Sequence, residues 1–243
     1  MVNCPKDDTG ECCGICGLNP VVVIATHKRV EITKKNIQLL LKQKCKIVLV
    51  VSDDKESSYF YHEFPEIKVC FKPNNPLGSK WQFGVDQARE FDPNPLIICG
   101  SDDILSRDFI NNSLKKIAGG WDMVGLTEWY TFDEVNNRLY KMKYKGPNQF
   151  TPIGSGKCIS KSLLEKMSYK LFDMSASKKL DDMTFAKAKI NRAKVFLNGD
   201  LYVMAVKGNW HSMNPVKAYL TCKNISYEEI PVEEIKTHFD YVL

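Results

Sequence analysis

Short apolar runs separated by polar stretches of helical spacing set the pattern of the first hundred residues. Pro20 introduces the β-branched run Val21-Val22-Val23-Ile24-Ala25, which halts at Thr26-His27-Lys28-Arg29. A run that is apolar at every position reads as a strand covered on both faces. Over 31–43, Ile32, Ile37, Leu40 and Leu41 recur on one side, as in an amphipathic helix. Further strands are predicted over 46–51, closing on Ser52-Asp53-Asp54, and over 67–71, leading into the turn-rich Pro73-Asn74-Asn75-Pro76-Leu77-Gly78. A helix over 79–90 ends before Pro93 and Pro95, and Leu96-Ile97-Ile98-Cys99 forms the next strand. Strands alternating with helices predict right-handed βαβ units on a mostly parallel sheet.

The second half is less regular. It predicts a strand over 122–126 and a hairpin over 128–144 that turns at Asn136-Asn137. A loop at Ile153-Gly154-Ser155-Gly156 precedes a helix capped by Ser160, and another helix runs over 181–190. Residues 195–197 and 201–206 read as strands around the turn Asn198-Gly199-Asp200. The polar, mixed stretch 216–243 reads as a peripheral helix. No repeat or linker divides the chain. The expectation is one α/β domain over 20–215, between a Cys-rich leader at 1–19 and a peripheral segment at 216–243.

Composition narrows the functional classes. At 243 residues, with 44% hydrophobic and 26% charged, the chain fits an ordinary globular protein. The net charge of +5 is mild and its Lys and Arg are scattered, which suits a small anionic substrate and leaves no nucleic-acid footprint. No apolar stretch is long enough to cross a bilayer, and the first residues lack the apolar centre of a signal peptide. A cytoplasmic location is therefore expected. Of the nine cysteines, Cys70 and Cys99 sit in apolar runs and read as reduced thiols. Cys4, Cys12, Cys13 and Cys16 crowd the start, but Cys13-Gly14-Ile15-Cys16 lacks a second spaced pair, so a flexible leader is expected rather than a zinc site.

The candidate chemistry begins at Gly100-Ser101-Asp102-Asp103, where the run 96–99 stops. Two adjacent carboxylates thereby fall past the C-terminal end of a strand, the edge at which open α/β sheets bind ligands. Hard oxygen ligands of this kind suit Mg²⁺ or Mn²⁺. The plain alternative is that Asp102 caps a helix starting near Ser106 and Asp103 is simply solvated.

Taken together, the order of these motifs resembles the GT-A fold of nucleotide-sugar-dependent glycosyltransferases, especially the large inverting family 2. The likeness spans about residues 20–212 and lies in order and spacing rather than in any single motif. The resemblance implies a Rossmann-like, mostly parallel sheet flanked by helices and a metal-dependent transfer from a UDP- or GDP-sugar to a glycan or other hydroxyl acceptor. It implies nucleotide-sugar contacts from Thr26, Arg29, Asp53, Asp54, Lys80, Ser101 and Asp102. Metal ligation by Mn²⁺- or Mg²⁺-binding Asp102, Asp103 and a late His211 follows from the same likeness. Asp182, with Asp181 beside it, takes the place of the carboxylate base, and Trp129, Tyr130, Gly154 and Trp210 the place of the acceptor site. Two positions depart from the family pattern: Gly100 stands where a first Asp is common, and Trp81-Gln82 stands where Arg-Asn is usual.

The alternatives are a sugar nucleotidyltransferase and a nucleotide-sugar-binding protein without catalysis. The former carries a Gly-rich loop after its first strand, whereas Ala25-Thr26-His27-Lys28-Arg29 has no glycine. A dinucleotide-dependent dehydrogenase fails on the same ground.

Overall fold

The computed structural model describes residues 15, 17–209 and 215–241. The first half is a run of strand–helix units: β1 (Val21–Ala25), α1 (Val30–Lys42), β2 (Lys46–Val51), α2 (Asp54–Glu63), β3 (Lys68–Phe71), α3 (Leu77–Ala88) and β4 (Leu96–Gly100). The chain then continues through β5 (Asp103–Leu105), α4 (Phe109–Ala118), β6 (Met123–Gly125), β7 (Glu128–Asp133), β8 (Arg138–Tyr144), β9 (Lys157–Ile159) and α5 (Lys161–Lys166). It closes with α6 (Leu180–Ile190), β10 (Val195–Leu197), β11 (Val203–Lys207), α7 (Val216–Leu220), β12 (Ile225–Ile230) and α8 (Ile235–His238).

Two sheets result. The larger has seven strands in the order β10-β6-β9-β4-β1-β2-β3, and the smaller has five in the order β12-β8-β7-β11-β5. In the larger sheet β1 lies between β2 and β4, with Val23 beside Val48 and Ile98. Alternate residues of these strands pack to opposite sides, as strand pleating requires. Val22, Ile24, Ile47, Leu49, Ile97 and Cys99 meet Ile37 and Leu40 of α1, whereas Val21, Val23, Val48, Leu96 and Ile98 meet Val85 and Ala88 of α3. Coverage of both faces explains why these strands are apolar throughout. The smaller sheet packs Tyr130, Phe132, Leu139, Met204 and Val206 against Ile235 and Phe239 near the C-terminus.

Several elements differ from the sequence reading. Helix α2 is not visible in hydrophobic spacing because it buries only Glu56 and Phe60. Strand β9 runs antiparallel between β4 and β6, so an otherwise parallel sheet is mixed. Strands β10 and β11 do not pair around the Asn198-Gly199-Asp200 turn. The first joins β6 in the larger sheet and the second lies between β7 and β5 in the smaller one. The helix expected near Ser106 begins at Phe109, and the stretch read as a peripheral helix contains β12, which pairs with β8 over six residues.

The site is set where the two sheets meet. Strand β4 ends at Gly100 and β5 starts at Asp103, so the segment Ser101-Asp102 is the step from one sheet to the other.

Candidate functional site

A cavity of about 780 Å³ opens at the C-terminal ends of β1 and β4, where an α/β sheet presents its ligand edge. Its floor is Gly100-Ser101-Asp102-Asp103, and Arg29, Lys207, Trp129, Ser155 and Asp181 are among its walls. The position of Asp102 follows from backbone pairing. Asp103 sits opposite Ala205 in the β5–β11 ladder, and the Asp102 carbonyl accepts the Val206 N–H at 2.8 Å. Lys207, one residue on, therefore reaches Asp102, and its Nζ donates to Oδ2 at 2.7 Å. From the other side Arg29, at the start of α1, donates through Nη1 to Asp102 Oδ1 at 2.6 Å and to Ser101 Oγ at 3.3 Å. Burial, the largest single influence, would depress the Lys207 amine, but Asp102, Tyr219 and Asp103 together more than offset it, so the ammonium form is favoured.

Asp103 has a different environment. Its carboxyl lies at the cavity floor against the Cα of Gly100, where a Cβ on residue 100 would collide with Oδ2. The absence of a side chain at Gly100 leaves a space that the Asp103 carboxylate fills. Ser155 holds the corner, accepting the Gly100 N–H at 3.0 Å. Burial first, and the neighbouring Asp102 charge second, raise the Asp103 carboxyl to about 6.

A second carboxylate is seated in the same way. The Asp181 carboxylate lies over the Cα of Gly154, again where a Cβ would collide with it, and faces the cavity from the first turn of α6. Lys157 is buried beneath and donates to the Asp181 carbonyl at 2.7 Å. Desolvation lowers the pKa of that amine.

The other expected residues divide into those at the cavity and those away from it. Trp129 and Gly154 line it. Tyr130 is buried on the far side of the smaller sheet among Tyr202, His238 and Phe239. Asp182 is exposed and borders a small adjoining recess with Tyr144, Asn148 and Thr151. Asp53 caps α2 by accepting the Glu56 N–H at 2.8 Å, and lines a neighbouring recess with Ile32 and Tyr59, whereas Asp54 is exposed. Thr26 is buried with its hydroxyl against that of Thr33 at 2.9 Å, and Lys80 is buried beneath it without reaching the cavity. Trp210 and His211 lie outside the described residues, as do the cysteines of the leader.

Sequence reasoning missed Lys207, Tyr144, Tyr219, Lys178 and Lys179, all of which line the cavity. Nothing in Val203-Met204-Ala205-Val206-Lys207 marks the final Lys, since its partner lies 105 residues earlier. Tyr219 reaches the wall from α7, and Lys207 sits over its ring at 5.8 Å from the centroid.

Among the described residues no three His, Cys, Asp or Glu side chains converge on one point. Asp103 with Asp102 nevertheless suits Mg²⁺, which is usually held by one or two carboxylates and completed by substrate phosphate oxygens and water. Asp102 already pairs with two cations, so Asp103 would be the first ligand of such an ion.

No protein-family model and no curated protein matches the chain. Solved structures do. The inositol-1-phosphate CTP transferase from T. maritima is similar with a TM-score of 0.54 at 12% identity, over 79% of this chain and 90% of that one. A197 from STIV is similar with a TM-score of 0.49 at 13% identity, over 76% and 84%. At such identity the first likeness is one of fold alone: the chain is an α/β protein of Rossmann-like architecture, with mixed sheets flanked by helices. No helix among the described residues is long and apolar enough to cross a membrane.

Proposed function

We propose that this protein is a nucleotide-dependent transferase whose cavity seats phosphate groups between Arg29 and Lys207, above Asp102 and Asp103. The observation that carries the reading is this pair of cations on opposite oxygens of one carboxylate, at the ligand edge of the sheet. Lys178 and Lys179 add positive charge on the facing wall. Arg offers a planar fork to phosphate oxygens and Lys a point charge.

Transfer of a nucleotidyl group from a nucleoside triphosphate to a phosphorylated small molecule is the reading favoured by the likeness of fold to a CTP transferase. In that reaction an acceptor phosphate oxygen bonds to the α-phosphorus as its bond to the bridging oxygen breaks, and pyrophosphate leaves with that electron pair. A phosphate monoester is largely dianionic near neutral pH, so no protein base is needed. Arg29, Lys207 and the Lys178-Lys179 wall would stabilise the charge gathering on the leaving group. A Mg²⁺ held by Asp103 and Asp102 would supply further charge stabilisation when bound.

A second reading, glycosyl transfer from a nucleotide sugar, is supported by two features. The β1–α1 turn has no glycine and its Lys28 N–H donates to Glu56 Oε1 at 2.6 Å, so this amide is not offered to phosphates. The Asp181 carboxylate also faces the cavity, where it would accept the acceptor hydroxyl's proton as oxygen bonds to the anomeric carbon and the nucleoside diphosphate departs.

The test is a product assay with ribonucleoside triphosphates plus sugar and polyol phosphates, and in parallel with UDP-glucose and GDP-mannose plus sugar acceptors, each with Mg²⁺ or Mn²⁺. Pyrophosphate release that survives Asp181→Asn supports nucleotidyl transfer. Nucleoside diphosphate release lost in Asp181→Asn supports glycosyl transfer. Binding without either product would mark a catalytically silent nucleotide-sugar-binding protein. No binding of any nucleotide overturns the proposal.

A further inference from the structure

Lys80 lies on the buried face of α3 and is fully buried, in a place where an apolar side chain of its length would pack against the sheet without the cost of desolvating a charge. Its three donors meet three neutral acceptors from different segments. Nζ donates to the Thr26 carbonyl at the end of β1, to Ser52 Oγ just after β2, and to Asn74 Oδ1 in the β3–α3 loop at 3.4 Å. Ser52 closes the triangle by donating its hydroxyl to the same Thr26 carbonyl at 3.1 Å. No carboxylate forms an ion pair with Lys80 among the described residues. The charged and titratable groups around it are Glu56 of α2, Arg29 of the β1–α1 turn, Asp53 after β2 and the Cys70 thiol of β3.

What the ammonium ties together is one wall of the cavity. Ala25 and His27 flank Thr26, Trp81 follows Lys80, and all three line the cavity together with Asn74 itself. The geometry points to Lys80 as a positioning residue for the anionic ligand: from beneath, it fixes the β1, β2 and β3–α3 loops at the phosphate seat and supplies positive potential to a ligand it never touches. A charge beneath a low-dielectric wall acts across several ångströms with little screening. The inference rests on the nucleotide reading above and goes beyond it in assigning a cation outside the contact shell.

Burial holds the Lys80 amine down to about 8, so it loses its proton over an accessible range. A bound anion favours the ammonium form. Binding near pH 8 should therefore take up a proton, and affinity should fall as pH rises above 8.

The experiment is calorimetric titration with the tightest-binding nucleotide of the panel above, from pH 7 to 9.5, on wild type and Lys80→Met. Wild type should lose affinity by roughly tenfold across that range, and Lys80→Met should bind roughly tenfold more weakly at pH 7 with a flatter profile. Titration at pH 8 in two buffers of different ionisation enthalpy should show proton uptake by wild type and clearly less by Lys80→Arg, which keeps the charge without titrating in this range and serves as the second variant if Lys80→Met does not fold. Equal affinity of wild type and Lys80→Met at pH 7, no proton uptake by wild type, or equal uptake by Lys80→Arg overturns the inference alone. Failure of wild type to bind any nucleotide overturns the nucleotide reading and this inference with it.

Discussion

Of the four Asp-Asp pairs in the chain, Asp102-Asp103 and Asp181-Asp182 bear on the cavity, and the fold treats them differently. The first spans the step between two sheets, so both side chains are at the cavity floor, one clamped by Arg29 and Lys207 and the other lodged against Gly100. The second opens a helix, whose 3.6-residue turn points neighbours in different directions. Asp181 lies over Gly154 at the cavity and Asp182 is exposed. A pair of carboxylates is thus not a unit of chemistry; the backbone beneath it decides how many of its members reach the site.

The largest expected effect comes from breaking the clamped member. Asp102→Asn removes the carboxylate that the Arg29 and Lys207 cations share, their side chains only 14% and 9% exposed. Loss of one partner of a buried pair costs about 3–5 kcal/mol. The cavity's access to water favours the lower figure, for which the melting temperature should fall by roughly 6–12 °C. A fall of under about 2 °C would show that the clamp contributes little.

The glycine seats come next. Gly100→Ala and Gly154→Ala each place a methyl group on a carboxylate at the end of a side chain, so Asp103 or Asp181 is displaced at a cost in stability no greater than about 1 kcal/mol, the low end for overpacking. Both should weaken nucleotide or acceptor binding more than they lower stability. Unchanged binding in Gly100→Ala would remove Asp103 from the site.

An effect on stability of opposite sign is expected at Asp103. Its folded pKa is raised to about 6, so between about 4 and 6 the native state holds a proton that the unfolded chain has lost. Stability from this group is therefore lost as pH rises through that window. Asp103→Asn should stabilise the protein at pH 7 by on the order of 1–2 kcal/mol, with little gain at pH 4. Thermal melts of both proteins across pH 4–7 check this, and an equal difference at all pH values would contradict it. Asp182→Asn should change stability and turnover least, within about 0.5 kcal/mol, as an exposed substitution does.

The sequence made the first half legible because β1, β2 and β4 are covered on both faces, and such coverage demands continuous apolar runs such as Val21-Val22-Val23-Ile24. Helix α2 escaped because a surface helix burying two residues leaves no periodic trace. The floor of the cavity was legible at Asp102-Asp103 from its position at a strand end. Its partners were not, since Lys207 and Ser155 are brought there by β11 and by the β8–β9 loop, and only long-range pairing places them. The choice between Asp181 and Asp182 likewise depends on the direction each side chain takes, which adjacent letters do not carry.

The most direct test of the central claim is the melting temperature of wild type and Arg29→Gln against ribonucleoside triphosphates, UDP-glucose and GDP-mannose, with Mg²⁺ or Mn²⁺. Ligands that bind only the folded protein raise it by mass action. The account predicts a cation-dependent rise of several degrees for at least one nucleotide in wild type, and a much smaller one in Arg29→Gln. No rise with any nucleotide, or the same rise in both proteins, would contradict a phosphate seat between Arg29 and Lys207.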